Sequence, residues 1–144
     1  MARTEATTGR PTNAGPGRVL VFVYGLFAVA ASARAGVQIA TRFHHAPVAY
    51  LLSAFAAAVY ILATIGLALG PRGRTLALVC VSIELVGVLA VGTASFVDSQ
   101  AFPHATVWSH LGQGYGYVPL VLPIIGMIYL LRMARAKQRA GDAA

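Results

Sequence analysis

Charge is what this chain has least of. Only 10% of its 144 residues are charged, against about 25% in a soluble domain. The deficit falls on the acids, with four Asp and Glu against eleven Lys and Arg. That excludes a soluble core wrapped in a polar surface. It also leaves no paired-carboxylate set, and there is no nucleotide loop, Ser/His/Asp order or H-E-x-x-H motif. We therefore assign no catalytic residue and expect no enzyme. The single cysteine, Cys80, excludes an intrachain disulfide and a C-x-x-C site; it reads as a small apolar filler. None of the four histidines lies inside a long apolar run, which excludes haem held between facing helices. No cofactor is expected.

What the chain does have is length of apolar run. It is 58% hydrophobic, with a mean hydropathy of +0.71. Four runs predict spans over residues 19–41, 48–69, 75–97 and 115–131. At 1.5 Å per residue, 23 residues cover roughly 34 Å, enough for a hydrocarbon core of about 30 Å. The predicted fold is an all-α membrane protein, an antiparallel four-transmembrane-helix bundle occupying residues 18–132. Residues 1–17, rich in Gly, Pro, Thr and Ala, are expected to be a disordered basic tail. Residues 133–144 form a second basic tail. A competing reading makes the first run a signal peptide cleaved near Ala31–Ala35. Against it, apolar character resumes after Arg34 with GVQIA.

The charges are unevenly placed. Nine of the eleven Lys and Arg lie in the two tails, at the bundle edges beside them (Arg18 and Arg132) and in the Gly70-Pro71-Arg72-Gly73-Arg74 turn. The positive-inside rule then predicts a multi-pass protein of the bacterial plasma membrane with both termini cytoplasmic. The net charge of +7 reads as topology charge in contact with anionic lipid headgroups, not as a nucleic-acid surface. On this topology His44, His45, Asp98, His104, Trp108 and His110 all fall on the outer face. The long connection, residues 98–114, carries Val107, Trp108 and Leu111, which suit one side of a short helix lying in the interface. Trp108, Tyr115 and Tyr117 suit an aromatic belt.

Two charges lie within spans. Glu84 is near the middle of the third run, roughly 14 Å from its inner end. Gly87, Val88, Val91, Gly92 and Ser95 share its face, so that face is expected to meet other helices. Arg34 lies roughly 10 Å from the outer end of the first run, on one face with Gln38 and Thr41. If spans one and three touch, an Arg34–Glu84 intramembrane ion pair is expected, with Gln38, Tyr60 and Thr64 as further polar partners. The alternative leaves Arg34 at the outer surface and Glu84 as a protonatable acid. Ala28, Ser32, Gly36 and Ala40 form a small-xxx-small ladder of the kind that lets helices approach closely. The four histidines and Asp98 are weak metal candidates, because their spacing matches no established site.

Several segments together carry a resemblance: SARAGVQIATRF in span one, APVAYLLSAFAA in span two, IELVGVLAVGT in span three and TVWSHLGQGYGYVPLVLP before and within span four. Over residues 18–132 the chain resembles a group of small four-span integral membrane proteins of high-GC Gram-positive bacteria. The resemblance implies fold and location and carries no activity. In size and span number the chain also resembles small multidrug exporters. Those carry their essential acid in the first span, where this chain has Arg34. The expected role is that of a structural or accessory subunit, partnered by another membrane protein or by its own copies. A small transporter or channel using Glu84 and Arg34 is the alternative, and an outer-face sensor or metal-binding module is the third.

Overall fold

The computed structural model describes residues 15–98, 100 and 106–143. The expected disorder of residues 1–17 falls almost wholly outside them, as does His104. Four long helices make the body: α1, Pro16–Arg42; α2, Pro47–Ala68; α3, Arg74–Val97; and α4, Val118–Ala143. Each belongs to a helical segment long and apolar enough to cross a membrane, as in a multi-pass membrane protein. The shortest, α2, has 22 residues and spans about 33 Å.

Local chemistry sets the ends. Pro16 and Pro47 sit in the first turns of α1 and α2, where a missing N–H costs nothing. A 3-10 turn, Phe43–His45, joins these two helices. A second, Gly70–Gly73, joins α2 to α3. There Gly66 and Gly73 lie backbone against backbone, and a Cβ on Gly66 would fall 2.7 Å from the Ala77 nitrogen. Only glycine permits so close a crossing. Both connections make their helices antiparallel neighbours.

Two predicted boundaries move. α4 starts at Val118 rather than 115, with Pro119 in its first turn and Pro123 inside it. It also runs on through the basic segment to Ala143. That segment, RMARAKQRA, consists of strong helix formers, so the helix continues where only a tail was expected.

The helices pack in sequence order: α1 on α2, α2 on α3 and α3 on α4, with a slight α1–α4 contact closing the set. α1 and α2 are the most intimate pair. Their buried faces are built from small residues, Ala28, Ala31 and Ala35 against Ala56, Ala57 and Ala63. α1 and α3 lie diagonally, without close backbone approach. The outward surface carries Phe22, Val29, Val48, Leu51, Val86 and Phe96, all well exposed. In water such a surface would be costly; in lipid it is the solvent-facing side. Below, the end bearing the α3–α4 connection is the loop end, and the end bearing both chain termini is the tail end.

Candidate functional site

Glu84 is the feature that the packing encloses. It lies near the middle of α3 on the face of Val88, Gly92 and Ser95, and all four residues are buried. Its own exposure is 0%. The Tyr24 hydroxyl of α1 donates to Glu84 Oε2 at 2.7 Å, a short bond typical of a carboxyl acceptor. Tyr60 of α2 stands beside both, its ring centroid 6.1 Å from that of Tyr24, close enough to Glu84 to interact electrostatically. Gly126 of α4 lies beside the Tyr24 hydroxyl, where a Cβ would make ordinary contact at 3.4 Å.

Glu84 Oε1 is buried and has no hydrogen-bond partner. A buried polar atom left unpaired costs about 1–3 kcal/mol. A charge in the middle of a membrane helix costs at least about 2.5–3.5 kcal/mol. The group is therefore half satisfied: Oε2 has a donor and Oε1 has none.

Toward the loop end the site is sealed by a non-helical segment. Trp108 is buried, and its Nε1 donates to the Tyr60 hydroxyl at 3.3 Å. Its ring rests on Gly87, where a Cβ would fall 2.6 Å from Cζ3. Gly87 is three residues, about 4.5 Å, beyond Glu84. Leu111 occupies a matching seat on Gly92, 2.5 Å from where a Cβ would stand. Side-chain bonds hold the segment's shape. The Thr106 N–H donates to Ser109 Oγ at 2.8 Å, and the Trp108 N–H donates to Thr106 Oγ1 at 3.2 Å. Ser95 Oγ of α3 accepts from the His110 N–H at 2.8 Å. His110, Leu111 and Gly112 are all left-handed, at φ 52°, 60° and 83°. For His110 and Leu111 that conformation is strained.

This arrangement corrects several expectations. No Arg34–Glu84 ion pair forms. Arg34 Nη1 donates to the Tyr115 hydroxyl at 2.7 Å, while Glu84 takes its bond from Tyr24. Depth counted from the ends of spans put Arg34 too near Glu84. The α1 residue level with Glu84 is Tyr24, and Arg34 is ten residues, about 15 Å, further along. The diagonal placing of α1 and α3 removes the remaining chance of contact. Between the two charges runs an aromatic column: Tyr24 to Tyr60, Tyr60 to Phe27 at 5.6 Å, and Phe27 to Tyr115 at 5.8 Å.

Nor does Thr64 reach Glu84; its hydroxyl donates to the Tyr60 carbonyl at 2.7 Å. Gln38 lines a cleft near the loop end with Val37, Thr41, Arg42 and Tyr50, away from Glu84. Trp108 lies in the core rather than in an aromatic belt, and among the described residues it is followed by a kinked 3-10 stretch, Ser109–Tyr115, in place of the expected interfacial helix. The three described histidines do not converge. His44 and His45 are exposed on the α1–α2 turn, whereas the His110 ring stands edge-on to Phe96 at 4.8 Å. Among the described residues no three His, Cys, Asp or Glu gather as a metal site. Asp98 is exposed at the end of α3, its N–H bonded to the Ala94 carbonyl.

Sequence reasoning missed Tyr24 altogether. Its only signal is position: it continues the Ala28, Ala31, Ala35 stripe at helical spacing. Comparison with protein-family models, with curated proteins and with solved structures finds no match.

Proposed function

We propose that this small membrane protein handles protons, with Glu84 as the group that binds and releases them, in a compact proton-linked transporter or channel. The carrying observation is the buried, unpartnered Glu84 Oε1. A helix-packing role alone is better served by a fully paired group. An ionisable residue inside a membrane helix is a functional site by default, and the expected neutralising partner, Arg34, is engaged with Tyr115. Polar groups continue from Glu84 toward the loop end through Tyr60 and Trp108. Toward the tail end the buried side chains include Leu20, Ala63, Leu67, Ala77, Val81 and Leu130. On this reading proton exchange is with the loop side. The charge asymmetry of the sequence supports a bacterial plasma membrane location, with the basic tail end in the cytoplasm.

The test is proton flux into liposomes holding a trapped pH dye under an imposed potassium diffusion potential. The wild-type chain should acidify the lumen faster than empty liposomes. Glu84→Gln should abolish the difference while remaining monodisperse and helical. Equal flux through Glu84→Gln, or no flux through the wild type, overturns the reading.

A second reading, an accessory subunit or homo-oligomer, draws on one further observation. Ala33, Gly36 and Ala40 of α1 are exposed, with open space at Gly36. Such small residues suit close approach by another helix. A mass above the monomer in mild detergent, lost in Gly36→Leu, supports it; a monomer throughout sinks it.

A further inference from the structure

We infer that residues 106–112 are a displaceable plug that gates Glu84 from the loop end, with Trp108 as its sealing side chain and loss of the Glu84 proton as its release. The inference rests on the proton-handling reading of Glu84 and adds the device that regulates access to it.

Three features carry it. The segment fills core space without belonging to any of the four long helices, so it can leave without unwinding one. It sits in two glycine seats that match its shape, the Trp108 ring on Gly87 and the side chain and backbone of Leu111 on Gly92. Its polar attachments to the helices are Trp108 Nε1 to Tyr60 and the His110 N–H to Ser95, and its Trp108 and His110 rings meet Phe55 and Phe96 edge-on. Two non-glycine residues in left-handed conformation, His110 and Leu111, mark a segment held in place by its surroundings, as bistable elements commonly are.

Glu84 is the group with a reason to release it. In its neutral form the acid keeps the Tyr24 bond and leaves one oxygen bare. As an anion it lacks water, and withdrawal of Trp108 admits water from one side. The titratable groups packed around it are Tyr24 from α1, Tyr60 from α2 and Cys80 on its own helix. Tyr129 of α4 packs against the same core further toward the tail end. None of them is a cation, so nothing adjacent replaces hydration of the carboxylate. Arg34 is reached only through the aromatic column. The burial cost of a membrane charge then shifts the closed-to-open ratio by on the order of a hundredfold on ionisation.

Trp108 is the only tryptophan in the chain, so its fluorescence reports on the plug directly. The experiment is acrylamide quenching of the full-length protein in lipid nanodiscs, from acidic to alkaline pH. The wild type should be protected at acidic pH and become severalfold more quenchable as pH rises. Glu84→Gln, checked for helicity and mass, should stay protected throughout. Gly87→Ala, which drives a methyl into the Trp108 ring, should be quenchable at every pH. A flat wild-type profile, or a rise that persists in Glu84→Gln, overturns the plug. The two readings separate cleanly. Glu84-dependent flux with a flat Trp108 profile removes the plug and leaves the proton site. A Glu84-dependent Trp108 response without flux leaves the plug and removes transport.

Discussion

The two halves of this bundle are filled in different ways. In the tail-end half, helix packs directly on helix. Leu20, Ala63, Leu67, Ala77 and Val81 interlock, and the α2–α3 turn is pinned where Gly66 meets Gly73 and Ala77. In the loop-end half, α3 does not press its glycine face on a neighbouring helix. That face receives Trp108 and Leu111 from a connecting segment. Glycine serves both halves by allowing close approach, but what approaches differs. At Gly66 it is backbone, which cannot yield; at Gly87 it is one side chain, which can. On the plug reading the Trp108 seat on Gly87 is the part that yields, while at Gly92 the Leu111 backbone also approaches, its nitrogen 2.8 Å from where a Cβ would stand.

The strongest way to break this contrast is a pair of alanine substitutions. Gly66→Ala puts a Cβ against the Ala77 backbone, and we expect a loss of about 3 kcal/mol, seen as poor yield and a collapsed thermal transition in detergent. Gly87→Ala meets only the Trp108 ring, so we expect a folded protein destabilised by about 1–2 kcal/mol. Equal damage from both would mean that the loop segment is as integral to the bundle as the α2–α3 turn.

Next in size is Tyr24→Phe. It removes the 2.7 Å donor to Glu84 Oε2, and we expect a loss of about 1–3 kcal/mol in denaturant titration. In a Glu84→Gln background the same change should cost less, because the amide no longer presents the same acceptor. Equal costs in both backgrounds would show that the Tyr24–Glu84 bond carries no coupling energy.

A smaller effect sharpens the separation of the two charges. Arg34→Gln loses the bond to Tyr115, and we expect a cost of about 1 kcal/mol. Combined with Glu84→Gln, the two should add within about 0.5 kcal/mol, as distant sites do. Strong non-additivity would revive a direct pairing of the charges. The smallest change is Ser95→Ala, which frees the His110 N–H from its α3 anchor. It should cost about 0.5–1 kcal/mol and raise acrylamide access to Trp108 slightly at acidic pH.

Much of the fold was legible in the sequence, for a plain reason. Four long apolar runs with short polar connections satisfy their backbone only as helices in lipid. The Glu84 face of α3 was legible too, because helical periodicity places Val88, Gly92 and Ser95 beside the acid whatever the neighbours are. The partner of Glu84 was not legible. Composition and spacing mark which residues share a helix face, but pairing between helices depends on their relative order, depth and crossing. A shift of ten residues along α1 exchanges Arg34 for Tyr24. The role of Gly87 and Gly92 was misread for a related cause: a small-residue face announces close approach without naming the visitor.

The sequence by itself thus determined four apolar spans, a lone carboxyl midway along the third, and a glycine-lined face beside it. Each is a property of one segment and its local periodicity. Only the tertiary structure decided that α1 and α3 lie diagonally, that Tyr24 rather than Arg34 reaches the carboxyl, and that Trp108 turns inward to cover it. Those outcomes depend on how separate segments share one small volume. The closest seats went to the side chains that could reach them without burying a second charge.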